Sequence, residues 1–284
     1  MATVTTDYEV AKNGGLEKPV VNLALKDRIK IFLLIYGVFQ FLMPIFIIIR
    51  IMKKEFHWSG FGKLYRLVST AHNDPIDLHP SEMLISKVWA LDSAKHYAGR
   101  LEWQKREGYC APATQRCILK SFTSFPIHCL PEQVHGPSEP VAWSSQIEKL
   151  CNENKDKGVP RMNTEIVRGD VGYEVFLEKL RKGISQSNSR VAINYLRPSL
   201  TGFKKPWWVP VHFMFGLISG HFSPILGMLE STTPRTPPLV AVFDVNAAFG
   251  MYLVEAPRLY QAINARDILS GNSRAIIIVS DVSE

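Results

Sequence analysis

A chain of 284 residues, 46% hydrophobic and 21% charged, is long enough for one well-buried domain plus an accessory segment. Its net charge of +7 favours an anionic substrate or an anionic membrane surface; with no zinc-finger, RRM or helix-turn-helix signature, nucleic acid is not an expected partner. The four cysteines, Cys110, Cys117, Cys129 and Cys151, lack CxxC spacing, so the sequence predicts neither a zinc site nor a disulfide scaffold.

The N-terminal region contains one long apolar run. Between Ile31 and Ile49 only Gln40 interrupts the apolar residues, and at about 1.5 Å per residue a helix of this length nearly spans the core of a bilayer. We therefore expect a flexible tail over 1–30, a single transmembrane helix over 31–52 and a juxtamembrane connector over 53–79. Lysine and arginine are balanced on the two sides of the run, so charge does not orient it in a membrane.

Residues 80–284 have the pattern of an α+β domain. Ser81 followed by Glu82 favours a helix start. Helices are predicted at Tyr173–Gly183 and, with Pro257 as its start or break, at 253–269; strands are predicted at Val191–Leu196, Leu239–Val245 and Ala275–Val279. Helices that precede strands along the chain indicate an antiparallel sheet with packed helices.

Cys110 is predicted to lie at the first turn of a helix. Pro112 has no backbone N–H and fits a helix only in its opening turn, and no helix breaker follows for several residues. Free amide protons and the helix dipole at that position favour a thiolate, the nucleophilic form of cysteine. The alternative interpretation is a small buried residue at a helix start. Cys117, seven residues later on the same face, is expected to pack in the core, although a second thiol there could bind a soft metal.

A thiolate nucleophile needs a base, and the base needs an orienting group. If Phe222–Leu229 is a strand that pairs with Leu239–Val245, His221 and Asp244 lie at neighbouring strand ends. Asp244 could then fix the tautomer of the imidazole. Each residue alone also has an ordinary interpretation, as a satisfied core histidine or a strand-end aspartate. The side-chain amide of Gln104, six residues before Cys110, could donate to a developing oxyanion.

The local sequences around these residues resemble the catalytic domain of the phytochelatin synthases, the glutathione γ-glutamylcysteinyltransferases. The resemblance lies in Gln104-x5-Cys110, Gly220-His221-Phe222-Ser223-Pro224 and Phe243-Asp244-Val245, and it covers about two-thirds of the chain. It implies a papain-like fold, with a helical half that carries the cysteine and an antiparallel sheet that carries histidine and aspartate. It also implies Cys110 as nucleophile, His221 as base and acid, Asp244 as orienter and Gln104 in the oxyanion hole. Tyr109, Tyr195 and Arg197 fit the family pattern as substrate-binding residues.

The sequence also departs from the family pattern. No arginine follows Asp244 in the stretch to Phe249, where the family usually has one for substrate or acceptor recognition. An apolar stretch over 204–219 is inserted before His221, the loop from His221 to Asp244 is longer than expected, and no cysteine-rich extension follows. These departures leave the thiol chemistry in place and the choice of substrate open.

The resemblance implies a thiol acyltransferase or peptidase that acts on glutathione. Cys110 would release glycine and form a γ-glutamylcysteinyl thioester, which a second glutathione or phytochelatin, or water, then resolves to phytochelatin or γ-glutamylcysteine. No tightly bound cofactor is implied; cadmium or zinc would act as activators or as glutathione thiolate complexes.

Two other interpretations remain open at this point. One is a non-catalytic, membrane-tethered thiol or metal binder on the same scaffold, which the presence of all four candidate catalytic residues argues against. The other is a general papain-like peptidase, for which the Trp and Gly context around Cys110 is missing. We expect a single-pass membrane protein whose catalytic domain faces the cytosol, where reduced glutathione is abundant; the oligomeric state is not predicted.

Overall fold

The computed structural model describes residues 3–19, 25–54, 57–134, 136–203, 210–218, 220–231, 233, 235–268 and 270–283. Within these ranges the α-helices are α1 Thr3–Lys12, α2 Leu25–Leu33, α3 Gln40–Met52, α4 Trp58–Asn73, α5 Glu82–Ala90, α6 Asp92–Lys95, α7 Cys110–Ser121, α8 Pro140–Glu153, α9 Tyr173–Ser185, α10 Pro198–Thr201, α11 Pro210–Ile218 and α12 Ala256–Ile263. A π-helical stretch, Leu34–Phe39, joins α2 to α3.

The strands of the described residues form one antiparallel sheet. They are β1 Met162–Arg168, β2 Ser189–Leu196, β3 Gly220–Leu229, β4 Leu239–Asp244, β5 Gly250–Glu255 and β6 Ala275–Asp281, in the spatial order β1-β6-β2-β3-β4-β5. The expected α+β class and antiparallel sheet are therefore confirmed, and β2, β4 and β6 lie where strands were predicted. β1 and β5 were not predicted. β5 takes the start of the segment expected to be helical, and α12 begins after it with Pro257 in its first turn.

Helices cover both faces of the sheet. Alternate residues of β2 show this: Ala192 packs with residues of α7 and α8 in one core cluster, whereas Val191 and Ile193 pack with residues of α9 and α12 in another. Side chains of a strand point alternately to the two faces, so a strand covered on both is apolar throughout. This explains why β2 is mostly apolar from Val191 onward and β4 is apolar up to Asp244, so that both are recognisable from sequence.

The predicted transmembrane helix is wrong. The apolar run from Ile31 to Ile49 is divided among α2, the π-helical stretch and α3, and α3 has 13 residues where a bilayer requires about 20. Among the described residues, no helix has both the length and the apolar character needed to cross a membrane. The π-helical stretch instead contacts α11, where Tyr36 Oη lies 3.1 Å from His212 Nε2. The expectation of a single-pass membrane location is corrected accordingly.

The segments on either side of this run also differ from expectation. In place of a flexible tail, α1 docks on the domain, with Lys12 and Asn13 buried. In place of a simple connector, α4 packs through Leu64 and Val68 into a third core cluster with residues of β2 and α11. Leu64 and Val68 are four residues apart and therefore share a helix face, which gives α4 an apolar side that must be covered.

Candidate active site

Cys110 is the first residue of α7, as predicted from Pro112. Tyr109 is the residue before the helix, and Gly108 has a φ of 85°, a left-handed conformation that glycine adopts without strain. The first turn of the helix leaves its amide groups without intrahelical partners, so the Sγ of Cys110 lies in a positive local potential. Cys110 is partly exposed, whereas most of α7 after it is buried.

His221 and Asp244 lie at adjacent ends of paired strands. The register pairs Ile225 of β3 with Val242 of β4, which brings the start of β3 to the end of β4 and confirms the expected strand pairing. The Nε2 of His221 lies 2.7 Å from the Oδ1 of Asp244, and both side chains are buried. This hydrogen bond leaves the Nδ1 side of the imidazole for another partner.

Cys110 lies close enough to His221 for the two groups to interact electrostatically: the imidazole lowers the pKa of the thiol, and the sulfur raises the pKa of the imidazole. Burial raises the pKa of the Cys110 thiol, but the charge and hydrogen bond of His221 outweigh burial, so the pKa lies below its usual value. Burial lowers the pKa of His221, but the carboxylate of Asp244 and the sulfur of Cys110 raise it to about 9. Both shifts favour a thiolate beside an imidazolium over the neutral pair.

The second carboxylate oxygen of Asp244 has its own partners. The Oη of Tyr195 donates to Oδ2 across 3.3 Å, and the Nη1 of Arg197 donates to it across 3.4 Å. The Oη of Tyr252, on β5, lies 2.8 Å from the Oη of Tyr195. Burial raises the pKa of Asp244, but the positive charges of His221 and Arg197 lower it overall. The carboxylate is therefore ionised and fixed on both oxygens.

The structure thus places Tyr195 behind Asp244, fully buried, although the sequence resemblance implied a role in substrate binding. Arg197 contacts Asp244 and lies over the ring of Phe249 at 4.4 Å. Sequence reasoning missed Tyr252, because β5 was not predicted as a strand. The continuous apolar run from Met251 to Val254, close after the predicted strand at Leu239–Val245, is the signal that could have identified it.

Gln104 and Tyr109 lie on the segment that leads into α7. The backbone N–H of Gln104 donates to the carbonyl of Val245 across 2.8 Å, which joins this segment to the turn after Asp244. The side-chain Oε1 of Gln104 is buried and has no hydrogen-bond partner among the described residues. A buried amide without a partner is costly and is typical of a position that a ligand or water completes. Tyr109 is half-buried, one residue before the nucleophile.

A polar cavity of about 290 Å³ lies at the start of β3. Its lining includes Gly220, which precedes His221, and the residues Arg50, Ser138, Glu139, Pro140, Arg168, Asn194, Ile218, Asp267, Ser270, Asn272, Ser273 and Arg274. Two of these groups, the Nδ2 of Asn194 and the Oγ of Ser273, are buried without a partner among the described residues. Because the lining contains both arginines and the carboxylates of Glu139 and Asp267, the cavity offers cationic and anionic groups to a ligand.

The other cysteines are structural in character. Cys117 is fully buried, and burial raises its pKa to about 12; its Sγ accepts a hydrogen bond from the backbone N–H of Glu102 at 3.3 Å. Across the described part of the chain, no three side chains of His, Cys, Asp or Glu are grouped closely enough to hold a metal ion. The described residues therefore offer no set of ligands that could complete a metal site at Cys110 and Cys117.

Fold and site together define an α+β protein with a Cys–His–Asp arrangement of the kind used in nucleophilic catalysis. Comparison with models of known protein families gives no match to this chain. Comparison with curated proteins gives no match either.

Proposed function

We propose that this chain is a cysteine-dependent acyltransferase or peptidase that cleaves glutathione or a related γ-glutamyl peptide. The observation that carries the proposal is a series of three residues: Cys110, partly exposed at the start of α7, the adjacent His221, and the buried Asp244 that is hydrogen-bonded to His221. A thiolate that is held beside a protonated and oriented imidazole is ready for attack on a carbonyl carbon and for protonation of the leaving group.

In the proposed reaction, the Sγ of Cys110 attacks the carbonyl carbon of the Cys–Gly peptide bond. The C–N bond then breaks, and His221 gives its proton to the departing nitrogen of glycine, which leaves a γ-glutamylcysteinyl thioester. Water or the amino group of a second glutathione attacks the thioester, His221 takes the proton, and Cys110 leaves as thiolate. The amide of Gln104 would stabilise the oxyanion formed in each step.

The polar cavity supports a γ-glutamyl substrate in particular. The γ-glutamyl end of glutathione carries a free α-carboxylate and a free α-ammonium group, and the cavity lining contains both arginines and acidic residues, Glu139 and Asp267. The unpartnered groups of Asn194 and Ser273 add neutral hydrogen-bonding capacity beside Arg274. The volume is near the lower end for small-molecule sites, which suits one end of a tripeptide. Cadmium or zinc would enter as thiolate complexes of the substrate.

The test uses the full chain with glutathione, with and without cadmium, and mass spectrometry of the products. We expect glycine and γ-glutamylcysteine, with phytochelatin as a transfer product. Cys110→Ser should abolish glycine release, and the matched variant Cys117→Ser should retain most of it. No glycine release from the wild-type protein would contradict a glutathione substrate, and equal loss in the two folded variants would contradict Cys110 as nucleophile.

A further inference from the structure

The end of α1 and the residue after it are polar and almost fully buried. The side chain of Lys12 is 1% exposed and that of Asn13 is 0% exposed. Burying an amine and an amide is costly unless each is hydrogen-bonded. Besides Glu9 in the same segment, their partners lie where the turn that follows Asp244 meets β5.

Three consecutive residues, the last of this turn and the first two of β5, lie against Lys12 and Asn13. The Nζ of Lys12 donates to the backbone carbonyl of Phe249 across 3.1 Å, and the Oδ1 of Asn13 accepts from the backbone N–H of Met251 across 2.9 Å. Gly250, between them, has a φ of 66°, and a Cβ atom there would collide with the side chain of Asn13. The close approach therefore depends on glycine at this position.

The same turn is coupled to the carboxylate of Asp244 in two ways. The guanidinium of Arg197 lies 4.4 Å from the centre of the Phe249 ring, and its Nη1 lies 3.4 Å from the Oδ2 of Asp244. In addition, the backbone N–H of Phe249 donates to the carbonyl of Asn246 across 2.9 Å, and the N–H of Asn246 donates to the Oδ1 of Asp244 across 2.8 Å. A displaced Phe249 would therefore disturb both oxygens of Asp244.

The N-terminal segment also holds the other side of the site. The indole Nε1 of Trp103 donates to the carbonyl of Glu17 across 2.7 Å, and the Nε1 of Trp89 donates to the carbonyl of Lys12 across 3.3 Å. Trp103 directly precedes Gln104, the candidate oxyanion residue. Residues Glu9–Glu17, here named the N-terminal clamp, thus contact both chain segments that flank the Cys110–His221 pair.

We propose that the N-terminal clamp is a positioning element of the active site and that Lys12 is its principal positioning residue. The proposal rests on the catalytic roles proposed for Cys110, His221 and Asp244, and it requires no contact between the clamp and the substrate. Lys12 fixes the carbonyl of Phe249, Phe249 supports Arg197, and Arg197 with the turn fixes Asp244. Catalytic geometry is sensitive to displacements of about 1 Å, so loss of one such support slows the reaction without removing a reacting group.

The test is Lys12→Met in the full chain, which removes the ammonium donor and keeps an apolar side chain of similar length. Two rates are measured well below the melting temperature: turnover of glutathione, and alkylation of Cys110 by iodoacetamide. We expect kcat and the alkylation rate to fall roughly tenfold while KM stays nearly unchanged, since the clamp orients catalytic groups rather than substrate. Lys12→Arg, which keeps a donor, should recover most of both rates.

Lys18→Met is the matched control. Lys18 forms an ion pair with Glu9 at 2.9 Å, as Lys12 does at 3.7 Å, but this ion pair does not involve the turn after Asp244. Wild-type kcat and alkylation rate in a folded Lys12→Met protein, even one with a lower melting temperature, would overturn the proposal. If Lys12→Met does not fold, kcat and the alkylation rate of Cys110 are measured in Lys12→Gln instead, and wild-type values there would likewise overturn the proposal. The alkylation rate does not depend on the natural substrate, so a wrong substrate and a wrong role for the clamp are distinguished.

Discussion

Asp244 accepts a hydrogen bond from His221 at 2.7 Å while its other carboxylate oxygen is held by groups from β2 and its end. The aspartate is therefore fixed on both oxygens before any substrate binds. Such an arrangement specifies one orientation of the imidazole, with Nε2 on Asp244 and Nδ1 towards Cys110. An oriented imidazole is what separates a catalytic histidine from one that is merely buried.

Cys110 should be reactive at lower pH than an ordinary thiol. Only the thiolate is alkylated, and His221 holds the pKa of Cys110 below its usual value, so iodoacetamide should label Cys110 at lower pH than an ordinary cysteine. In His221→Ala the charge and the hydrogen bond are lost and burial alone remains, so the pKa should rise and labelling should shift to higher pH. Peptide mass spectrometry across a pH series measures this, and an identical profile in both proteins would contradict the pairing.

Turnover should fall as pH rises through about 9. His221 must carry a proton to release the leaving group, and the pKa of His221 is raised to about 9 chiefly by the Asp244 carboxylate, against burial. Asp244→Asn removes that charge, so the decline should move to lower pH and kcat should fall by at least about a hundredfold. The pH dependence of kcat checks both effects. A high-pH limb that is unchanged in Asp244→Asn would refute this account of His221.

Tyr252→Phe should weaken the support of Asp244 and cost stability. Its hydroxyl lies 2.8 Å from that of Tyr195 in a fully buried setting, so removing it leaves Tyr195 with one partner fewer. We expect a loss of about 1–2 kcal/mol in the free energy of unfolding and a several-fold lower kcat. Tyr65→Phe is the control, since Tyr65 is 44% exposed. Denaturant titration of both variants gives the comparison, and equal stabilities would show that the hydroxyl pair contributes nothing.

Ser273→Ala should weaken substrate binding without weakening the fold. The Oγ of Ser273 is buried and has no hydrogen-bond partner among the described residues, so removing it breaks no hydrogen bond within them. If that hydroxyl donates to the substrate carboxylate, KM for glutathione should rise about tenfold while the melting temperature stays constant. Ser231→Ala, on the exposed loop after β3, serves as control. An unchanged KM would show that the hydroxyl of Ser273 does not bind the substrate and would contradict the cavity as part of the substrate site.

Hydrolysis should compete well with transfer. The turn from Val245 to Phe249 carries no cationic side chain that could hold the carboxylate of an acceptor. Product analysis at modest glutathione should therefore show γ-glutamylcysteine as a major product, and Ala247→Arg should raise the ratio of transfer to hydrolysis, with Ala247→Gln as the uncharged control. A wild-type product mixture dominated by long oligomers would contradict this expectation.

Patterns within short stretches of sequence were sufficient to predict the helix and the strands that carry Cys110, His221 and Asp244. Pro112 predicts that the helix starts near Cys110, and the mostly apolar segments of β2, β4 and β6 predict the strands. β3, which begins at Gly220, is predicted only conditionally, as a strand over Phe222–Leu229. A helix start depends on the backbone chemistry of proline, and a buried strand depends on apolar side chains, and both can be read from a few neighbouring residues.

Tertiary contacts account for what sequence reasoning missed. The run from Ile31 to Ile49 has the composition of a membrane helix, but the π-helical stretch that divides it arises in a folded context with α11 beside it. Likewise, the sequence around Lys12 and Asn13 does not reveal that they are buried, because, besides Glu9, their partners are backbone groups more than 230 residues away. The roles of Tyr195 and Tyr252 depend on strand register, which residue spacing alone does not give.

β5 lies at the edge of the sheet and has a neighbouring strand on one side only. Edge strands open more readily than central ones, because fewer hydrogen bonds hold them. Fraying of β5 would release the hydroxyl of Tyr252 and the turn beyond Asp244 while β1, β6, β2 and β3 remain paired. Inactivation by urea should therefore precede the loss of sheet structure, so that a protein with nearly native circular dichroism has already lost its thiolate reactivity.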